Sequence, residues 1–221
     1  MNTAPKIRFR DSQIEMAHGA GGKASRRLVE GLFAPLLLGD RVGPLGDAAH
    51  ININGTRIAI TTDSFVVKPL RFPGGSIGEL AVNGTVNDLA VSGARAEAMV
   101  VTYVLEAGLP TEVLEAEVRA MGKAAAAAGV AISGGDTKVV EHGKADGMYI
   151  STTGVGTLIP GITVSAASVR PGDKVLISGP VGDHGITVLF ARGELDLEGE
   201  ICSDTRSVLP LIEAMAQAAG P

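Results

Sequence analysis

Apolar and polar positions alternate along this chain with two distinct periods, and the order of those periods predicts strands interleaved with helices. Leu28, Val29, Leu32, Phe33 and Leu36 recur at helical spacing, so Lys23–Leu38 reads as an amphipathic helix whose last turn is loosened by Pro35. His50–Ile53 alternates, Asn54-Gly55 supplies a type I′ turn, and the β-branched run Thr56–Thr62 returns as a second strand. Gly74-Gly75 lead into Ser76, which with Glu79 three residues later has the form of a capping box. The helix opened there runs to about Ser92 and stops at Gly93. Further on, the pattern predicts a buried strand over Glu97–Glu106 and a helix over Thr111–Ala128 closed by Gly129. A short strand over Val130–Ser133 and a longer one over Met148–Leu158 follow. The first 17 residues read as an irregular arm with one short strand around Ile7–Phe9.

The turn chemistry of Val169-Arg170-Pro171-Gly172-Asp173 marks a domain boundary. Beyond it the sequence predicts a buried strand over Lys174–Ser178, a helix from Gly182-Asp183-His184 through Ala191, and a last helix over Ser207–Ala219. Residues 1–40 thus form an arm, a glycine-rich loop and a helix, residues 41–170 the main domain, and residues 171–221 the start of a second α/β domain. The fold class is α/β (α+β) rather than a bundle or a sandwich.

Composition narrows the chemistry. Of 221 residues 45% are hydrophobic, only 3% are aromatic, and 30 are glycine, so the core is built from small aliphatic side chains. The net charge of -5, with basic residues scattered, excludes the basic stripe of a nucleic-acid binder. No apolar run reaches membrane-spanning length and the N-terminus lacks the apolar core of a signal peptide, which points to the cytoplasm. Cys202 is the sole cysteine, which excludes an internal disulfide and a thiolate metal cluster.

The candidate chemistry lies in acidic and glycine-rich segments. With Asn54-Gly55 as the loop, Ile53 faces Thr56 and Asp47 comes to lie opposite Thr62, one residue from Asp63. Strict alternation places these two carboxylates on opposite faces, so their convergence needs a strand end or a bulge. Aspartates that merely form turns are the equal alternative. Asn83 and Asn87 share a helix face, with Asp88 beside them, as either a solvated face or the wall of a polar site. Gly134-Gly135-Asp136-Thr137-Lys138 reads as an anion-binding nest in which Asp136 holds a cation and Lys138 a phosphate, or as a glycine turn with an exposed lysine. Such oxygen ligands with a lysine suit Mg²⁺ and a nucleoside triphosphate. His18-Gly19-Ala20-Gly21-Gly22-Lys23 lacks the GxxxxGKS/T spacing of a P-loop and reads as a flexible segment that folds over nucleotide.

LGDAAH, TTDSF, NGTVNDLAVSGA and ISGGDTKVV, in this order and spacing, resemble the PurM-like (AIR synthetase) superfamily. HGAGGK, DSFVVKPLRFPGGSIGELAVNGTVNDLAVSGARAEAM and GPVGDHGITVLFAR are similar to its hydrogenase-maturation branch, the HypE family. The resemblance runs from about residue 14 to the end. It implies a mixed or antiparallel sheet flanked by helices, with ATP and Mg²⁺ bound between the subunits of a homodimer whose sheets pair into a β-barrel. By motif, Asp47, Asp63, Asp88 and Asp136 match the metal and phosphate positions, Asn87, Gly134 and Gly135 line the nucleotide cleft, and Lys138 matches the basic catalytic position. His18 is a candidate general base, with a hydrogen-bonded structural role as the commoner alternative. The implied reaction is ATP-dependent dehydration of a cysteine S-carboxamide to a thiocyanate. HypF is the carbamoyl donor and the HypC–HypD complex the cyanide acceptor in maturation of nickel–iron hydrogenase.

Family members of full length run about a hundred residues further, to a terminal cysteine. Cys202 is internal and does not match it; it reads as a small, semi-buried hydrophobe. The chain is therefore expected to be a truncated or natural short form that carries the Mg-ATP-binding part of the enzyme. Two other enzymes of the superfamily fit less well. Selenophosphate synthetase wants a cysteine near the N-terminal glycine loop, and thiamine-monophosphate kinase a doubled aspartate where this chain has Gly46-Asp47-Ala48-Ala49. The alternative of another class is a dimerisation and partner-binding module without turnover.

Overall fold

The hairpin at Asn54-Gly55 sets the register of the whole sheet. In the computed structural model, which describes residues 7–39, 45–194 and 199–219, Asn54 and Gly55 have φ of 50° and 86°, the pair of positive values that a type I′ turn requires. Strands β1 (Ala49–Ile53) and β2 (Thr56–Phe65) then pair Ile53 with Thr56, as the turn dictates, and β2 continues three residues past the expected end. The remaining strands are β3 (Arg71–Phe72), β4 (Gly75–Ser76), β5 (Ala94–Glu106), β6 (Ala131–Val140) and β7 (Met148–Leu158). The main sheet has the order β1-β2-β7-β5-β6, antiparallel except for the parallel pair β5–β6, while β3 and β4 form a separate small ribbon. The mixed sheet flanked by helices matches the expected class.

Helix α3 (Ile77–Val91) lies on one face of this sheet. Its Ile77, Ala81, Val82, Val86 and Leu89 are fully buried against Ala59, Met99, Val101, Met148 and Ile150. Each large side chain buried there contributes about 1.5–3 kcal/mol. Helix α4 (Thr111–Ala128) begins and ends as its sequence predicts, with Gly129 in the left-handed region at φ 66°. Helices α5 (Asp183–Ala191) and α6 (Leu209–Ala219) complete this part of the chain. No described helix is long and apolar enough to cross a membrane.

The described residues fall into two compact units, divided between Gly46 and Asp47. In the first, α1 (Lys23–Leu28) passes through a π-helical turn, Val29–Phe33, into α2 (Ala34–Leu37). Pro35 has no N–H to offer the carbonyl of Gly31, which instead accepts a hydrogen bond from the Phe9 N–H at 3.4 Å. The strand expected around Ile7–Phe9 is absent, because this single bond is no ladder. The expected boundary at residues 40 and 41 lies outside the described residues, as do residues 1–6 of the arm.

Three further expectations change. Ser76 is the N-cap of α3, but its side chain makes no cap bond, and the capping box does not form. Glu117 of α4, 1% exposed, replaces it: its Oε2 accepts the Gly78 N–H at 3.2 Å, and Arg71 Nε stands 2.8 Å from Oε1. A charge this deep is tolerated because a cation and a helix N-terminus both face it. Strand β6 does not stop at Ser133. It slips register against β5 between Met99 and Val100 and carries Gly134-Gly135-Asp136 onward as strand, so the predicted nest is an extended segment. Finally, Lys174–Ser178 forms no strand, and Val175, Leu176 and Ile177 are exposed. Apolar content alone cannot make a strand without a neighbour to pair with.

Candidate functional site

The end of the hairpin far from its turn meets the last turns of α3, and three of the predicted aspartates gather there. The Thr61 hydroxyl lies 2.7 Å from the Asp47 carbonyl and 3.1 Å from Asp88 Oδ2, tying β2, the approach to β1 and α3 together. Asp63 projects from β2 on the same side of the sheet as α3. It lies in register with buried Thr152, which is hydrogen-bonded to Thr85 of that helix. Gly84 makes the room: a Cβ there would press on the Phe65 ring, with Asp63 Oδ2 next at 3.8 Å. Asp63 Oδ1 accepts the Ser64 N–H at 2.7 Å.

Electrostatics mark this cluster out. Burial pushes the Asp88 carboxyl up to about 6, against the lowering effect of the Thr61 hydroxyl, and the charges of Asp63 and Asp47 add to the rise. A half-buried carboxylate beside two further acidic side chains marks a site short of positive charge. Among the described residues, however, no three His, Cys, Asp or Glu side chains are close enough to hold a metal ion together.

Asp136 and Lys138 lie elsewhere. They belong to β6, the far edge strand, with Lys138 Nζ 2.9 Å from Asp136 Oδ2 and the Thr137 N–H bonded to Asp136 Oδ1 at 2.8 Å. These partners, Lys138 first, hold the Asp136 carboxyl below its ordinary range. Asp136 is in register with Thr102, and through it with Ser151 and Ser64, on the face opposite Asp63. Three strand spacings of ~4.8 Å separate β2 from β6, roughly 14 Å in all. Within one chain the four aspartates therefore do not share one ligand position. Gly134 and Gly135 lie in the same strand, where a Cβ on Gly135 would overlap the Val101 carbonyl.

Within the unit that begins at Asp47, no described helix covers the face that carries Asp136 and Lys138. Ile51, Ile53 and Val100 are exposed on it, beside Ile58, Ile60 and Val155.

Asn87 lines a cleft of about 330 Å³ on the neighbouring face of α3. Both its amide atoms are already used: Nδ2 donates to the Arg206 carbonyl at 2.9 Å and Oδ1 accepts the Val208 N–H at 2.8 Å. His18 sits in the N-terminal unit, buried, with both ring nitrogens engaged. Nδ1 accepts the Glu15 N–H at 2.9 Å, so Nε2 donates to Asp11 at 2.8 Å. No ring nitrogen is left to take a proton from a substrate in this arrangement. Sequence reasoning missed two contributors, Thr61 and Arg206. The Thr61-Thr62-Asp63 string hinted at the first, but nothing local marked the second.

Residues 45–158 match the family described as AIR synthase related protein, N-terminal domain. Carbamoyl dehydratase HypE of Azotobacter vinelandii is 45% identical over 213 residues, which are 96% of this chain and 62% of that protein. A crystal structure of a HypE–HypF complex superposes with a TM-score of 0.80 at 46% identity, covering 86% of this chain and 62% of its counterpart. HypE in complex with ATP gives 0.71 at 45% identity, covering 92% and 61%. The chain thus spans about 62% of the length of the relatives it matches.

Proposed function

Because this chain belongs to the AIR synthase related family, we propose that it is the ATP-binding part of a HypE-type carbamoyl dehydratase, acting in the cytoplasm in nickel–iron hydrogenase maturation. The observation that carries the reading is the Thr61-bridged cluster of Asp47, Asp63 and Asp88, whose mutual repulsion a cation relieves. Hard oxygen donors of this kind suit Mg²⁺, which Asp88 and one of its neighbours would hold together with the oxygens of a bound triphosphate, neutralising part of its charge. Solved relatives bound to ATP and to HypF support the nucleotide and the partner.

The reaction converts Cys–S–C(=O)NH₂ and ATP into Cys–S–C≡N, ADP and phosphate. The amide oxygen takes the γ-phosphoryl group, the nitrogen loses two protons, and phosphate leaves with the C–O bond. Amide oxygen is a poor leaving group and phosphate a good one, so the protein's work is alignment and charge neutralisation. Lys138 supplies the cation that faces the transferring group, and Asp136 holds its ammonium in place. We assign His18 to holding the N-terminal segment rather than to proton transfer, since its ring is saturated.

We infer a homodimer from the uncovered sheet face. The uncovered sheet face carries Ile51, Ile53 and Val100 together with Asp136 and Lys138. Pairing two such faces buries the apolar stripe between the copies and sets the Asp136–Lys138 pair of each in that interface. HypF delivers the carbamoyl group and HypC–HypD receives the cyanide. Calorimetry of Mg-ATP binding tests the reading, with Asp88→Asn and Asp136→Asn as variants. Tight binding by the parent chain, lost in both variants with the dimer intact, supports it; no binding by the parent chain rejects it.

A further inference from the structure

The segment 202–208 is fastened to α3 by side chains that read its backbone. Asn87 takes the Arg206 carbonyl and the Val208 N–H together, Asn83 reaches the Thr205 hydroxyl at 3.5 Å, and the Ser203 N–H donates to the Pro73 carbonyl at 2.9 Å. His184 of α5 lies 3.0 Å from the Ser203 hydroxyl and holds the other flank. So fixed, the segment sets the Arg206 side chain against the 330 Å³ cleft, where Nη2 donates to the Ser178 carbonyl at 3.0 Å. No carboxylate among the described residues forms an ion pair with this guanidinium, and its other donors have no protein partner.

The cleft and the aspartate cluster flank the same helix on neighbouring faces. Asn87 and Asp88 are consecutive, about 100° apart around α3, so one points to the segment and the other to Thr61 of the sheet. Gly84 belongs to both places: it lines the cleft, and its missing side chain admits the Phe65 ring, with Asp63 Oδ2 3.8 Å from where a Cβ would stand. Among the described residues, a guanidinium without a carboxylate partner thus lines one face of α3, and a surplus of negative charge lines the neighbouring face. A ligand that carries a metal ion on its phosphates is complementary to both.

We propose that Arg206 is a phosphate-binding residue of the nucleotide site and that Asn87 is the positioning residue that presents it. The proposal rests on the nucleotide reading given above. A guanidinium offers several donors in a fixed fork suited to phosphate oxygens, and charge-assisted bonds of this kind change affinity by roughly tenfold to a hundredfold. Asn87 acts through the main chain of residues 206 and 208, which is why its amide need not touch the ligand.

The test is calorimetric titration of the chain with Mg-ATP and, separately, with adenosine, which shares the base and sugar but has no phosphate. Arg206→Ala should weaken Mg-ATP at least tenfold, Arg206→Lys should recover part of that, and adenosine should bind all three proteins alike. Asn87→Ala should also weaken Mg-ATP selectively. Arg206→Ala introduced on top of Asn87→Ala should then cost less than it does alone, because the side chain is no longer presented. Arg119→Ala, an exposed arginine on α4 away from the cleft, is the control and should change nothing. Equal Mg-ATP affinity in the parent and Arg206→Ala overturns the proposal while the nucleotide reading stands. Equal losses for ATP and adenosine assign Arg206 a structural role and overturn it as well. Absence of Mg-ATP binding by the parent removes both.

Discussion

Asp88 is held ionised at neutral pH against its surroundings, and removing its charge should stabilise the protein while disabling it. Its carboxyl ordinarily titrates at 3.8, and burial with the charges of Asp63 and Asp47 raises it to about 6. A raised acid binds its proton more tightly in the folded state than in the unfolded one. The stability this confers is complete below pH 3.8, is lost as pH rises through about 6, and the penalty is constant above that. At about 1.36 kcal/mol per pH unit the span amounts to about 3 kcal/mol, and water at this partly exposed group reduces it to on the order of 1–2 kcal/mol. Asparagine has the same shape and keeps an acceptor for the Thr61 hydroxyl. Asp88→Asn should therefore raise the melting temperature at pH 7.5 by about 2–8 °C, by the usual conversion for a chain of this size. The gain should vanish near pH 4, and Mg-ATP binding should weaken. Differential scanning calorimetry at several pH values provides the measurement. A lower melting temperature at pH 7.5, or an offset independent of pH, would refute the electrostatic account.

The buried carboxylate at the head of α3 gives a second expectation. Glu117→Ala leaves Arg71 and the Gly78 N–H without their partner and should cost about 3 kcal/mol in urea unfolding, whereas Glu117→Gln keeps the acceptor and should cost less than half of that. Gly78→Ala drives a Cβ into the Glu117 carbonyl and should destabilise by about 1–3 kcal/mol, although helix propensity alone favours alanine. On the uncovered sheet face, Val100→Arg should convert the proposed homodimer to a monomer in light scattering without lowering the melting temperature of that monomer. An unchanged dimer would place the subunit contact elsewhere.

Features set by neighbouring residues were legible from the sequence. Asn54-Gly55 allows one tight turn, and that turn dictates the pairing of Ile53 with Thr56 and every pair beyond it. Thr111 and Gly129 bound α4 as expected, β7 spans Met148–Leu158 as expected, and the motif order pointed to the right family. Asp47, Asp63 and Asp88 were candidates on sequence grounds, and Thr61 brings their elements together. Local rules failed where a distant group offered a better partner. Glu117 displaced the Ser76–Glu79 box, pairing with β5 carried β6 through Gly134-Gly135, and the absence of a neighbouring strand left Lys174–Ser178 irregular.

By itself, then, the sequence determined the turns, the helix limits and the inventory of acidic side chains, because short-range sterics and periodicity decide those. Only the tertiary structure decided which of these groups share a space. It set Asp136 on the opposite sheet face from Asp63, spent the Asn87 amide on main chain more than a hundred residues away, and left the Arg206 guanidinium facing a cleft. It also raised the Asp88 carboxyl, since proton affinity depends on burial and on charges contributed by other strands. Those quantities follow from distances through space, which no local pattern encodes.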